Sequence, residues 1–208
     1  MSLWAIVPIK PLRKGKSRLS SVLSEDERAE LSRRMLVATV ETLKKVRDID
    51  HILVVSRDPE ALAAARGAGA RTLLENGQPE INGALTRAAL VAGAYKARGV
   101  LVVPADLPLL DADDIREFVS IGRAYPSVVI APDRKGEGTN ALLLSPPDVI
   151  PFDYGPGSFE RHCENARAAG VPLEIFEVES IALDLDLPED LEFLGMNLRM
   201  HVEQEDPV

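Results

Sequence analysis

Short apolar runs alternate along the chain with longer stretches in which apolar residues return every three or four positions. The runs LWAIVPI (3–9), HILVVS (51–56), RTLL (71–74), VLVVPA (100–105), SVVIAP (127–132), NALLLS (140–145) and LEIFEV (173–178) predict seven strands. Several are continuously apolar and rich in Val, Ile and Leu, the pattern of strands covered on both faces. Residues 24–47 predict a helix, with Ser24 and Glu27 as a capping box and Leu31, Met35, Ala38, Leu43 and Val46 as the apolar stripe. Further helices are predicted over 59–67, 82–98, 111–123, 158–169 and 188–197. This alternation, followed by extra strands, implies a three-layer α/β fold with a mostly parallel central sheet. No internal repeat or low-complexity segment interrupts it. The Pro- and Gly-rich stretch 145–158 reads as a long functional loop, residues 1–200 as one domain, and residues 201–208 as a polar tail.

Composition narrows the chemistry. A chain of 208 residues, 46% hydrophobic, can bury a core without disulfides or a structural metal. The single cysteine, Cys163, excludes an internal disulfide and any cysteine-rich metal site. Its neighbour His162 allows a Cys–His pair, the less favoured reading. No apolar run approaches the roughly 20 residues of a membrane span, and the basic cluster follows the first apolar run instead of preceding it, unlike a signal peptide. A cytoplasmic location without membrane contact is expected. A net charge of −9 argues against a general nucleic-acid binder.

Against that acidic background, Lys10, Arg13, Lys14, Lys16 and Arg18 crowd into one loop directly after the first predicted strand. The GKS at 15–17 is not a P-loop, because position 10 holds Lys10 where that pattern needs glycine, and the next helix begins too late. What remains is a set of cations at a strand's carboxyl end, where open α/β sheets place ligands.

Four acidic or polar features accompany it. Asp106 ends a strand in VLVVPADLPLLDADD, whereas Asp111, Asp113 and Asp114 suit a helix cap and first turn. Asp184 and Asp186 alternate in ALDLDLPEDL, so an extended backbone points both the same way. A hard cation such as Mg²⁺ would relieve their repulsion, and Asp106 could complete its site. Alternatively, Asp186 only caps the following helix. Gly155, Gly157 and Ser158 run into a helix N-terminus, which offers N–H groups to an anion, although Ser158 would also serve as an N-cap. Asn82, before a helix of small residues, could face a nucleobase or simply cap that helix.

In this order, VPIKPLRKGKSRLS, LVVPADLPLL, GEGTNALLL, YGPGSFERH and ALDLDLPEDL resemble the CofC/FbiD family, within nucleotidyltransferases of the GT-A-type Rossmann-like fold. The resemblance spans residues 4–194. It implies a guanylyltransferase that joins GMP from GTP to a phosphorylated three-carbon acid, releasing pyrophosphate, during coenzyme F-420 biosynthesis. The acid is 2-phospho-L-lactate, phosphoenolpyruvate or 3-phosphoglycerate. Carried over, the acid's phosphate falls on Thr139, Gly155 and Ser158, and Mg²⁺ on Asp106 and Asp184 with Asp186 nearby. The triphosphate faces Lys10, Arg13, Lys16 and Arg18, and the nucleoside faces Asn82. Lys10, Asp106 and Asp184 are the expected catalytic set. Expected partners are the two substrates, a downstream transferase that takes the labile product and, as an open alternative, a second copy of the chain in a homodimer. The competing readings are a nucleotidyltransferase for another acceptor, such as a sugar phosphate or pterin cofactor, and a non-catalytic nucleotide-binding subunit.

Overall fold

The structure, a computed structural model, describes residues 2–76 and 80–192. Seven strands form one sheet in the order β3-β2-β1-β4-β6-β5-β7. They are β1 (Ser2–Pro8), β2 (Ile49–Ser56), β3 (Arg71–Leu74), β4 (Ala97–Val102), β5 (Ser127–Pro132), β6 (Thr139–Ser145) and β7 (Leu173–Ile175). Only β6 runs against its neighbours, pairing antiparallel with both β4 and β5. The expected mostly parallel sheet is therefore present.

Strand alternation divides the core into two layers. Ala5 and Val7 of β1 face one side, with Leu36 and Val40 of α1 (Glu25–Lys44), Leu62 of α2 (Pro59–Gly67) and Phe118 of α4 (Ala112–Ile121). Trp4 and Ile6 face the other, with Leu85 and Ala88 of α3 (Ile81–Ala94) and Cys163 of α5 (Ser158–Ala168). Helices thus cover both faces.

The capping box predicted at Ser24 forms, with the Ser24 side chain accepting from Glu27 N–H and the Glu27 carboxylate from Ser24 N–H. Asp111 caps α4 as expected. Several boundaries differ from the prediction, among them β4, three residues earlier than expected, β7, which ends at Ile175, and three helix ends. Glu80, not Asn82, caps α3, accepting from the N–H groups of Asn82 and Gly83; the carboxylate lies within reach of both donors. The same helix stops at Ala94, because β4 begins at Ala97, with Ala97 and Gly99 paired to β1. Gly157, with φ of 72°, precedes α5 in the left-handed region, so Ser158 is the first helical residue instead of its cap. A short helix α6 (Glu179–Ala182) and two 3-10 turns, Leu12–Lys14 and Ser17–Leu19, were absent from the prediction. Residues 188–192 are helical; the rest of the helix predicted over 188–197, and the tail 201–208, lie outside the described residues.

Candidate active site

Beyond the carboxyl ends of β1, β2 and β4 opens a cavity of about 490 Å³, lined among others by Lys10, Lys14, Lys16, Arg57, Asp106 and Asp186. The basic loop that forms one wall is folded, not merely solvated. Leu12 and Leu19 are fully buried and anchor it. Leu12 N–H donates to Asp58 at 2.8 Å, and the other oxygen of that carboxylate caps α2. Arg28 donates to the Gly15 carbonyl at 3.3 Å.

Lys16 is the residue these restraints serve. Its backbone is left-handed (φ 54°), a conformation a non-glycine residue holds only when its surroundings impose it. Its side chain is only 7% exposed, and Nζ lies 3.2 Å from Asp106 Oδ2 and 3.6 Å from Asp186 Oδ1. Arg18 pairs with the other Asp186 oxygen at 3.2 Å. Arg13 goes elsewhere: it binds Asp26 at 2.6 Å at the start of α1 and does not line the cavity. Lys10, at the strand end, is exposed and lines it.

The carboxylates converge from two directions. Leu185 N–H donates to the Asp106 carbonyl at 3.0 Å, tying segment 183–186 to the chain leaving β4. Leu183 and Leu185 are each 1% exposed, so Asp184 and Asp186 share the opposite side, as the alternation predicted. Asp190, buried, accepts from Asp186 N–H at 2.9 Å and Leu187 N–H at 2.7 Å while pairing with Arg134. Burial, and then the charges of Asp186 and Asp106, push the Asp184 carboxyl up. Among the described residues no group of three or more His, Cys, Asp or Glu side chains is already gathered around a metal position. The donor chemistry nevertheless fits a hard divalent cation. All three groups are carboxylates, and the charges of Asp186 and Asp106 add to burial in raising Asp184.

Thr139, Ser158 and His162 form a third, buried cluster. Thr139 Oγ1 lies 3.0 Å from His162 Nδ1 and 3.2 Å from Ser158 Oγ, and Asp153 N–H donates to His162 Nε2 at 2.9 Å. Burial lowers His162 to about 4, so the ring is neutral near pH 7. Arg161 closes the preceding loop, donating to the Asp153 carbonyl at 2.9 Å and to the Pro156 carbonyl. Gly155 and Gly157, with φ of 134° and 72°, supply the turn that other residues would strain. Phe159 N–H reaches the Glu137 carbonyl, joining α5 to the turn before β6. Asn82 faces this loop: its amide donates to the Tyr154 carbonyl at 3.2 Å and accepts from Tyr154 N–H at 2.7 Å. Cys163 points into the apolar layer, where burial pushes its thiol up, and it is not brought to His162 as a catalytic pair.

Sequence reasoning missed Arg57, Glu75 and Glu80, all of which line the cavity. Arg57 directly follows the second predicted strand, the same position that drew attention to Lys10. Glu75 and Glu80 belong to a polar stretch without a spacing signal.

A family model described as "Guanylyl transferase CofC like" matches residues 3–205. A phosphoenolpyruvate guanylyltransferase of Rubrobacter xylanophilus is 42% identical over 92% of this chain and 92% of its own. A 2-phospho-L-lactate guanylyltransferase of Methanothermobacter thermautotrophicus is 34% identical, covering 92% of this chain and 83% of its own. Among solved structures, a nucleotidyl transferase from Methanothermobacter superposes with a TM-score of 0.70 at 16% identity, covering 96% of this chain and 99% of that one. The 4-diphosphocytidyl-2C-methyl-D-erythritol synthase of Anaerococcus prevotii gives 0.63 at 11% identity, over 95% and 98%. At these identities the structural likeness speaks for the nucleotidyltransferase fold alone.

Proposed function

The chain belongs to the CofC-like guanylyl transferase family, and from that premise we propose that it transfers GMP from GTP to the phosphate of a three-carbon phospho-acid. The observation that carries this reading is the meeting of Lys16 with Asp106 and Asp186 at the wall of the cavity. Cations for a triphosphate and carboxylates for its metal converge there on one space.

A phosphate oxygen of the acid attacks the α-phosphorus of GTP, and the α–β anhydride bond breaks to release pyrophosphate. No general base is required, since a phosphate monoester is largely dianionic near neutral pH. Two anions must be held in line and the leaving group's charge offset. Lys10, Lys14 and Lys16 supply positive charge in the cavity. Asp106 and Asp184, with Asp186 beside them, would hold Mg²⁺. When bound, the metal offsets charge on the phosphate oxygens. Thr139, Gly155 and Ser158 would receive the acid's phosphate at the start of α5.

Phosphoenolpyruvate is the favoured acid, because the 42%-identical relative carries that specificity in its name and the 2-phospho-L-lactate enzyme is only 34% identical. The product would enter coenzyme F-420 biosynthesis through a downstream transferase, in the cytoplasm. A panel pairing GTP, ATP, CTP and UTP with phosphoenolpyruvate, 2-phospho-L-lactate and 3-phosphoglycerate, with and without Mg²⁺, tests the reading by pyrophosphate release. Metal-dependent turnover of GTP with one of these acids is expected. No release with any pair would overturn it.

A further inference from the structure

Thr139, Ser158 and His162 are 6%, 2% and 0% exposed, so their hydrogen-bond directions are set by one another instead of by water. The chain of directions begins at Asp153. Its N–H donates to His162 Nε2, and a ring nitrogen that accepts carries no proton. The neutral imidazole therefore holds its proton on Nδ1 and donates it to Thr139 Oγ1. Thr139 and Ser158 share one further bond between their hydroxyls. Two hydroxyls own two protons, and their mutual bond uses one. One O–H is left with no acceptor among the described residues.

The opposite tautomer would reverse the cluster. An unprotonated Nδ1 would take the Thr139 proton, Ser158 would donate to Thr139, and no hydroxyl proton would remain. Such a pair would turn only lone pairs toward an approaching anion. The position of one ring proton thus decides whether these hydroxyls attract a phosphate or repel it.

We propose that His162 is a positioning residue that, by donating from Nδ1, makes the Thr139–Ser158 hydroxyl pair a hydrogen-bond donor to the phosphate of the acid substrate. The inference rests on the assignment of that phosphate to the start of α5. The Asp153 amide that sets the tautomer is fixed from both sides. Asn82 clamps the adjoining Tyr154 main chain, and Arg161 binds the Asp153 carbonyl. The Tyr154 ring lies edge-on to the imidazole at 4.9 Å and limits its rotation.

Imidazole nitrogen shifts of the 15N-labelled, substrate-free protein test the tautomer directly, with His162 assigned by its absence from the spectrum of His162→Asn. A protonated Nδ1 and an unprotonated Nε2 are expected. The reverse tautomer, or an averaged mixture, would overturn the proposal. Steady-state kinetics supply the second arm. His162→Phe, folded by circular dichroism, should raise KM for the phospho-acid about tenfold or more and leave KM for the nucleotide within about twofold. His162→Asn, whose amide can donate near the Nδ1 position, should recover part of the loss. An unchanged acid KM in folded His162→Phe, or parallel rises in both KM values, would refute the role. The tautomer measurement needs no substrate, so it stands apart from a failure of the phospho-acid assignment, which would show as no turnover in the unmodified protein.

Discussion

Lys16 Nζ stands 3.2 Å from Asp106 Oδ2, although ninety positions of chain separate the two residues. The contact joins the basic loop after β1 to the chain leaving β4, so positive charge is fixed at the cavity before any triphosphate arrives. A fixed donor offsets leaving-group charge without reorganising during the reaction. Lys16→Met should therefore lower kcat by about 100- to 1000-fold, the range of losing one such donor. Asp106→Ala should abolish turnover with an unaltered far-ultraviolet spectrum, since Leu185 bonds the main chain of Asp106 and not its carboxylate. Pyrophosphate release by either variant at the unmodified rate would contradict this arrangement.

Asp184 sits half-buried beside two other carboxylates, and this repulsion costs stability. Asp184→Asn removes the charge and keeps the shape. Solvent screens the partly exposed group, so the gain is small: a rise in Tm of about 1–3 °C at pH 7. Activity should fall at least about 100-fold. Scanning calorimetry and the pyrophosphate assay on one preparation would reveal the opposed effects. A lower Tm would argue against stored repulsion.

Asn82 separates two roles. Its amide is taken up at both ends by the Tyr154 main chain, and it does not line the cavity. Asn82→Ala should loosen the 152–158 loop, destabilise the protein by about 1–3 kcal/mol and raise KM for the acid more than for GTP. Loss of discrimination between GTP and ATP would instead assign Asn82 to the nucleoside.

His162 makes the protein acid-sensitive. Its folded value, lowered to about 4 by burial, lies below the ordinary value of 6.5. The unfolded chain then takes up the proton first as pH falls. The stabilisation is fully present above about pH 6.5 and is lost as pH falls toward 4, on the order of 3 kcal/mol in all. Urea midpoints at pH 7 and pH 4.5 should differ less in His162→Phe than in the unmodified protein. Equal differences would place the sensitivity elsewhere.

Arg13 offers the contrast. It is more than half exposed and engaged with Glu25 and Asp26, outside the cavity. Arg13→Ala should change KM for GTP less than about twofold and stability by less than about 1 kcal/mol. A tenfold KM effect would return Arg13 to the triphosphate.

The strands and most helix ends were legible because burial on both faces and side-chain capping leave local signatures, as at β5 and Ser24. Asp106, Asp184 and Asp186 were legible as a group because strand ends and two-residue alternation fix direction. The ranking within the basic loop was not. Lys10 held the strand end, but the left-handed backbone at Lys16 and the distant contacts from Asp58 and Arg28 decide which cation is buried. Glu80 was missed as the cap of α3 because glutamate is an uncommon cap and Asn82 lay two residues on. His162 was legible only as the neighbour of Cys163, since its two actual partners come from β6 and from the loop before α5.

The reversed strand β6 has a consequence for how this scaffold can diversify. β1, β2, β3 and β4 reach the reactive rim with their last residues and then cross back through a helix. β6 arrives there with its first residue, Thr139, only six residues after β5 has ended. The rim therefore gains two adjoining stretches of chain from a single tight turn. Apart from Arg134, whose partner Asp190 holds the Asp186 main chain, residues in that turn can be exchanged without moving a crossover helix or the loop that carries Lys16. Selectivity for the acid can thus drift independently of the apparatus for the triphosphate. A designer seeking a new acceptor would begin by replacing the exposed Lys135 and Glu137.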